Sequence, residues 1–83
     1  MTLIQRLALA YISDCIGGGL PPTVREIGAY LSMSSATGAR VRRQLVALGM
    51  LELDAPTQRA VRLTARAEAY LLKNGKTYIE VRR

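Results

Sequence analysis

The sequence predicts a mainly α fold that carries one small β-hairpin. Apolar residues recur at helical spacing at Val24, Ile27 and Leu31 and again at Val41, Leu45 and Leu48, with a Ser32-Met33-Ser34-Ser35 turn between the two runs. Directly after the second run, residues 51–54 and 60–64 alternate as strands do, and Ala55-Pro56-Thr57-Gln58-Arg59 between them reads as a turn. A further helical run precedes this block and another follows it. The expected order is helix, helix, helix, strand, strand, helix, with an eight-residue segment, 76–83, left over.

The first helix is expected over residues 2–16. Leu3, Ile4, Leu7, Tyr11, Ile12 and Ile16 form its apolar stripe, and Thr2 stands at its N-cap. Gly17-Gly18-Gly19 ends it, because glycine reaches positive φ without steric cost. The triple glycine is not a phosphate loop: no strand precedes it and no Gly-Lys-Ser/Thr follows. Pro21 and Pro22 then hold the chain out of helix, and Thr23 with Glu26 spells a capping box for a helix expected from Val24 to about Ser32, with Leu20 as a candidate staple against Ile27. Gly28 is small where this helix must cross its successor.

The next helix is expected from Ser34 or Ser35 to Leu48. At about 100° per residue, Gly38, Val41, Leu45 and Leu48 turn toward the core, while Ala36, Ala39, Arg40 and Arg43 point outward, with Arg42 and Gln44 on the two flanks. Gly49 ends it. Thr64 is expected to cap a last helix over 65–73, with Ala67, Tyr70, Leu71 and Leu72 on its apolar side and Asn74-Gly75 as its stop. The remaining 76–83 alternates weakly, which fits a strand against a second copy or a basic tail.

Composition narrows the function classes. Eighty-three residues make one domain with a thin core, so added burial through dimerisation is expected. Residues 1–75 are assigned to the domain and 76–83 to a possible dimer contact. Twelve basic against six acidic residues give a net charge of +6, the footprint of a polyanion partner. The chain has one cysteine and no histidine. That excludes an internal disulfide, a Cys/His zinc site and any histidine-based nucleophile machinery. Cys15 is expected as a small buried hydrophobe. Residues 3–16 are too short to span a bilayer and are broken by Arg6 and Asp14, so a cytoplasmic protein with no membrane contact is expected.

A helix pair with a basic second helix is the arrangement of helix-turn-helix DNA recognition. Small residues early on the outward face let the backbone approach a groove floor, and the arginines beyond them reach guanine edges or phosphate oxygens. Arg59 at the hairpin tip and Arg62 on its polar side suit backbone or minor-groove contacts.

The element order resembles the winged helix-turn-helix family of bacterial and phage transcription regulators. Residues 35–51 resemble the recognition helix and following strand of MarR-type winged helices, and Leu20-Pro21-Pro22-Thr23 followed by Arg25-Glu26-Ile27 is similar to the DNA-binding domain of LexA-type repressors. The resemblance covers roughly residues 3–72. It implies a three-helix bundle plus wing, then a C-terminal helix, with base-reading positions at Ser35, Ala36, Ala39, Arg40 and Arg43 and Thr37 near the backbone. Arg25, Ser34, Arg42, Arg59 and Arg62 complete the expected DNA-binding set. Two features depart from the family pattern. Gly38 stands where a β-branched core residue is common, and the Ser35-to-Gly49 spacing is one residue shorter than in LexA-like sequences. No self-cleaving domain is expected in a chain of this length, and no MarR-like ligand pocket.

The expected function is a homodimeric, sequence-specific DNA-binding repressor, bacterial or phage-encoded, that places helix 35–48 in the major groove with the 55–60 wing alongside. The alternative is an adaptor of the same fold that binds a repressor, polymerase or nuclease instead of DNA. No catalytic residue, cofactor, metal or small-molecule effector is expected, since the six carboxylates form no suggestive pair.

Overall fold

The computed structural model describes residues 1–53 and 61–74. Within them the elements are α1 (Leu3–Gly17), α2 (Val24–Tyr30), α3 (Ser35–Ala47), β1 (Leu51–Leu53), β2 (Val61–Leu63) and α4 (Ala65–Asn74). This is the expected fold: three helices, a two-stranded antiparallel hairpin and a further helix, arranged as in a winged helix-turn-helix. The expected strand ends Asp54 and Ala60, the turn 55–59 with Arg59, the stop residue Gly75 and segment 76–83 lie outside the described residues.

Every helix begins on a side-chain oxygen that accepts from an otherwise orphaned backbone N–H. Thr2 and Gln5 form a reciprocal capping box on α1, and Thr23 and Glu26 form one on α2. Ser34 accepts from the Thr37 N–H at 3.1 Å to start α3. Thr64 accepts from the Ala67 N–H at 3.1 Å to start α4, and its hydroxyl donates to the Gly49 carbonyl at 2.6 Å. One threonine thus joins the end of α3 to the start of α4.

The first three helices end alike. In each, the second residue past the helix takes a left-handed conformation, Gly19 at φ 107°, Ser32 at φ 60° and Gly49 at φ 77°. Two reversed hydrogen bonds close each turn. Leu20 N–H donates to the Cys15 carbonyl (3.1 Å), Met33 N–H to Gly28 (2.8 Å) and Met50 N–H to Leu45 (2.9 Å), with shorter-range partners at Ile16, Ala29 and Val46. Ser32 is therefore outside α2, which ends at Tyr30 and not near Ser32 as the periodicity predicts. A serine in this conformation costs about 1 kcal/mol that glycine would not.

The crossing of α2 and α3 is set by two glycines. A Cβ on Gly38 would collide with the Val24 carbonyl oxygen and come within 2.8 Å of the Gly28 nitrogen. A Cβ on Gly28 would collide with the Ser34 carbonyl oxygen and come within 3.1 Å of the Met33 oxygen. Backbone occupies the space that a side chain at position 38 would need, which is why glycine stands there.

The core gathers Leu7, Ala8, Leu9 and Ile12 from α1, Ile27 and Leu31 from the α2 region, Val41 and Leu45 from α3, Met50, Leu51 and Val61 from the wing, and Ala67 and Leu71 from α4. Six corrections to the sequence reading follow. Ala8 and Leu9 are fully buried while Leu3 is exposed, because α1 lies against both α2 and α3 and buries a wider arc than one stripe. Leu20 is exposed, and buried Pro22 holds the position before the cap of α2 that pairs with Ile27. Leu48 is exposed because α3 stops at Ala47, and Leu72 is exposed because it sits about 100° round α4 from Leu71. Cys15 is half-buried rather than buried. The sixth correction is Arg42, which is only 9% exposed. Burial, and next the neighbouring charge of Arg43, pulls its guanidinium below the ordinary arginine range.

Tyr11 of α1 stacks on Tyr30 of α2 with ring centroids 4.3 Å apart and planes 12° from parallel. Burial, then a hydrogen bond to Cys15, pushes the Tyr11 phenol up to about 12.

Two measurements probe this scaffold. In denaturant titrations, Ser32→Gly is expected to stabilise by about 0.5–1 kcal/mol. Gly38→Ala is expected to destabilise by about 1–3 kcal/mol, against the ~1 kcal/mol that alanine ordinarily gains in a helix. Thermal unfolding separates the arginines: Arg42→Ala should cost about 1–2 kcal/mol through lost packing of its stem. Arg40→Ala and Arg43→Ala should stay within about 0.5 kcal/mol of the parent.

Candidate nucleic-acid interface

The face of α3 opposite Gly38, Val41 and Leu45 is a ridge open to solvent. Ser34, Ser35, Ala36, Arg40, Arg43 and Gln44 are exposed, and Thr37 and Ala39 are half-buried at its edges. From Ala36 to Gln44 the ridge rises about 12 Å, the length of three to four base pairs. An α-helix fits a major groove about 12 Å wide, and alanines at the leading end keep its backbone close to whatever it meets. No Asp or Glu lies on α3, so nothing on the helix itself neutralises Arg40 and Arg43.

The ridge is held from behind by the glycine crossing and from its ends by the cap at Ser34 and the turn at Gly49. The Ser34 and Thr37 hydroxyls lie 3.1 Å apart, so this pair is engaged in capping. At the far end, Arg66 of α4 donates to the Leu48 carbonyl at 3.4 Å, placing a cation at the negative end of α3.

The expected site residues divide into groups. Ser35, Ala36, Ala39, Arg40 and Arg43 share one face of α3, with Ser34 and Thr37 at its start. Arg25 is exposed on α2, in the first turn. Arg62 lies on the wing across from Glu52 and is exposed, and their side chains meet at 3.9 Å. A pair this exposed contributes at most about 1 kcal/mol, so Arg62 is partly offset in charge but not fixed by it. Arg42 does not join the ridge, because its position faces the core.

Gln44 is the residue the sequence reading left on a flank. Rotation places it about 40° beyond Arg40, at the edge of the exposed arc that faces α1. Its side-chain carbonyl accepts from the Gln5 amide of α1 at 3.1 Å. The rotation was a signal for the position, but nothing in the sequence announced a partner on another helix.

Among the described residues no three His, Cys, Asp or Glu side chains gather to hold a metal ion, and no helix is long and apolar enough to cross a membrane.

No protein-family model matches the chain. The chain is similar to a LexA repressor of Methylococcus capsulatus (strain ATCC 33009 / NCIMB 11132 / Bath), with 45% identity over 65 residues that make up 69% of this chain and 31% of that protein. It thus spans about a third of the length of the curated relative it matches.

Proposed function

We propose that this chain is a sequence-specific, double-stranded-DNA-binding transcription regulator, a repressor of bacterial or phage origin, and that it acts as a homodimer in the cytoplasm. In this reading α3 enters the major groove. Arg40 and Arg43 reach base edges, Ser35, Ala36 and Ala39 lie against the groove floor, and Thr37 and Ser34 approach the backbone. Arg25 and Arg62, together with Arg59, bind flanking phosphates. Two copies read half-sites one helical turn apart, and occupancy of a promoter blocks transcription. The chain performs no catalysis and needs no cofactor or effector for this task.

The carrying observation is the α3 ridge. Two arginines, no carboxylate and small leading residues occupy the free side of a helix whose other side is fixed backbone-to-backbone. A net charge of +6 and the similarity to a repressor support the same reading. An adaptor that docks on proteins would present apolar anchors on such a ridge, and this one presents guanidinium groups.

Selection of bound duplexes from a random pool is expected to return a palindromic consensus with half-sites about one turn apart. A single partner protein captured in fixed stoichiometry, with no DNA enriched, would replace this reading with the adaptor. On the selected duplex, Arg40→Ala and Arg43→Ala should each weaken binding by about 1–3 kcal/mol in anisotropy titrations. The wild-type affinity should fall steeply with added salt. An Arg40→Ala/Arg43→Ala double variant that binds like the parent would remove these residues from the interface.

A further inference from the structure

The bond between Gln5 and Gln44 fixes more than the packing of α1 on α3. The Thr2 backbone N–H can only donate, and it donates to Gln5 Oε1 at 3.0 Å. Gln5 must therefore turn its amino group the other way, toward α3. That amino group can only donate, so Gln44 must meet it with Oε1, at 3.1 Å. The amide orientation of Gln44 is thus dictated by a main-chain group on another helix. What remains to face solvent is Gln44 Nε2 with its two N–H donors.

Gln44 is exposed and sits one helical turn beyond Arg40, on the α1 side of the ridge. With Oε1 turned toward α1, it lacks the outward acceptor that bidentate pairing with adenine requires. A donor at the flank of a groove-bound helix meets the phosphate wall rather than the groove floor. We propose that Gln44 is a phosphate-backbone anchor and that Gln5 is its positioning residue, so that the first turn of α1 sets which group α3 offers to a duplex. This rests on the DNA-binding reading above and adds a contact outside the expected arginine set.

The test is anisotropy titration of a labelled, mixed-sequence DNA duplex of roughly two helical turns, with several unrelated sequences and with circular dichroism to check that each variant is folded. Gln44→Ala should weaken binding roughly three- to tenfold, equally for every sequence. Gln44→Lys, whose ammonium donates without help from α1, should restore it. Gln5→Glu keeps the acceptor for the Thr2 N–H but offers Gln44 a second acceptor. The Gln44 amide then flips and turns its carbonyl outward, so the loss should match or exceed that of Gln44→Ala. In the Gln44→Ala background, Gln5→Glu should add little.

An equal loss from Gln5→Glu in both backgrounds would mean that the added charge acts at a distance, and would overturn the relay. A loss confined to one sequence would make Gln44 a base reader and overturn the phosphate assignment. Wild-type binding that Gln44→Ala leaves unchanged would overturn the inference alone. Absence of salt-dependent binding by the wild type would instead sink the DNA-binding reading on which it stands.

Discussion

Two backbones meet where α2 crosses α3, and the contact admits no side chain from either. Gly38 lies against the Val24 carbonyl and Gly28, and Gly28 lies against Ser34 and Met33. This closeness gives the helix pair its short turn and fixes how far α3 stands from the rest of the domain. Glycine in a helix interior costs roughly 1 kcal/mol against alanine. The fold accepts that cost twice at one crossing, and in return α3 is located by main-chain atoms, which have far less freedom than side chains.

The rest of the molecule works outward from that crossing. Threonine and serine caps start the helices, and left-handed turns stop the first three. Thr64 ties the wing and α4 to the end of α3 through the Gly49 carbonyl. The arginines on α3 are then sorted by rotation alone. Arg42 faces inward, where burial opposes its charge, and Arg40 and Arg43 face water. Three similar side chains within four residues thus divide between packing and an exposed positive ridge.

Much of this was legible in the residues. The Thr23–Glu26 box, the serine before α3, the stop at Gly49 and the cap at Thr64 are local devices, and local chemistry suffices to find them. The arginine ridge followed from arithmetic at 100° per residue. The same arithmetic puts Arg42 on a flank, about 40° from Gly38, and rotation alone does not say that this flank is the buried one. Leu9 and Ala8 fall outside the predicted stripe because a stripe presumes one packing partner and α1 has two. Spacing turns Leu48 and Leu72 inward, yet spacing carries no information about where a helix ends or how wide its contact is. The Gln5–Gln44 bond joins residues 39 positions apart and could not be read from either segment.

The left-handed residues at Gly19, Ser32 and Gly49 act as punctuation, and they constrain how this chain can change length. One residue added within α3 would swing everything beyond it by about 100° and carry Gly38 out from beneath Gly28, or the ridge out of line with its own turn. Insertions and deletions in α2 or α3 are therefore expelled toward a stretch outside the helices, such as the Leu20–Pro22 passage. Divergence among chains of this shape should accumulate there as changes of length, and on the α3 ridge as changes of residue.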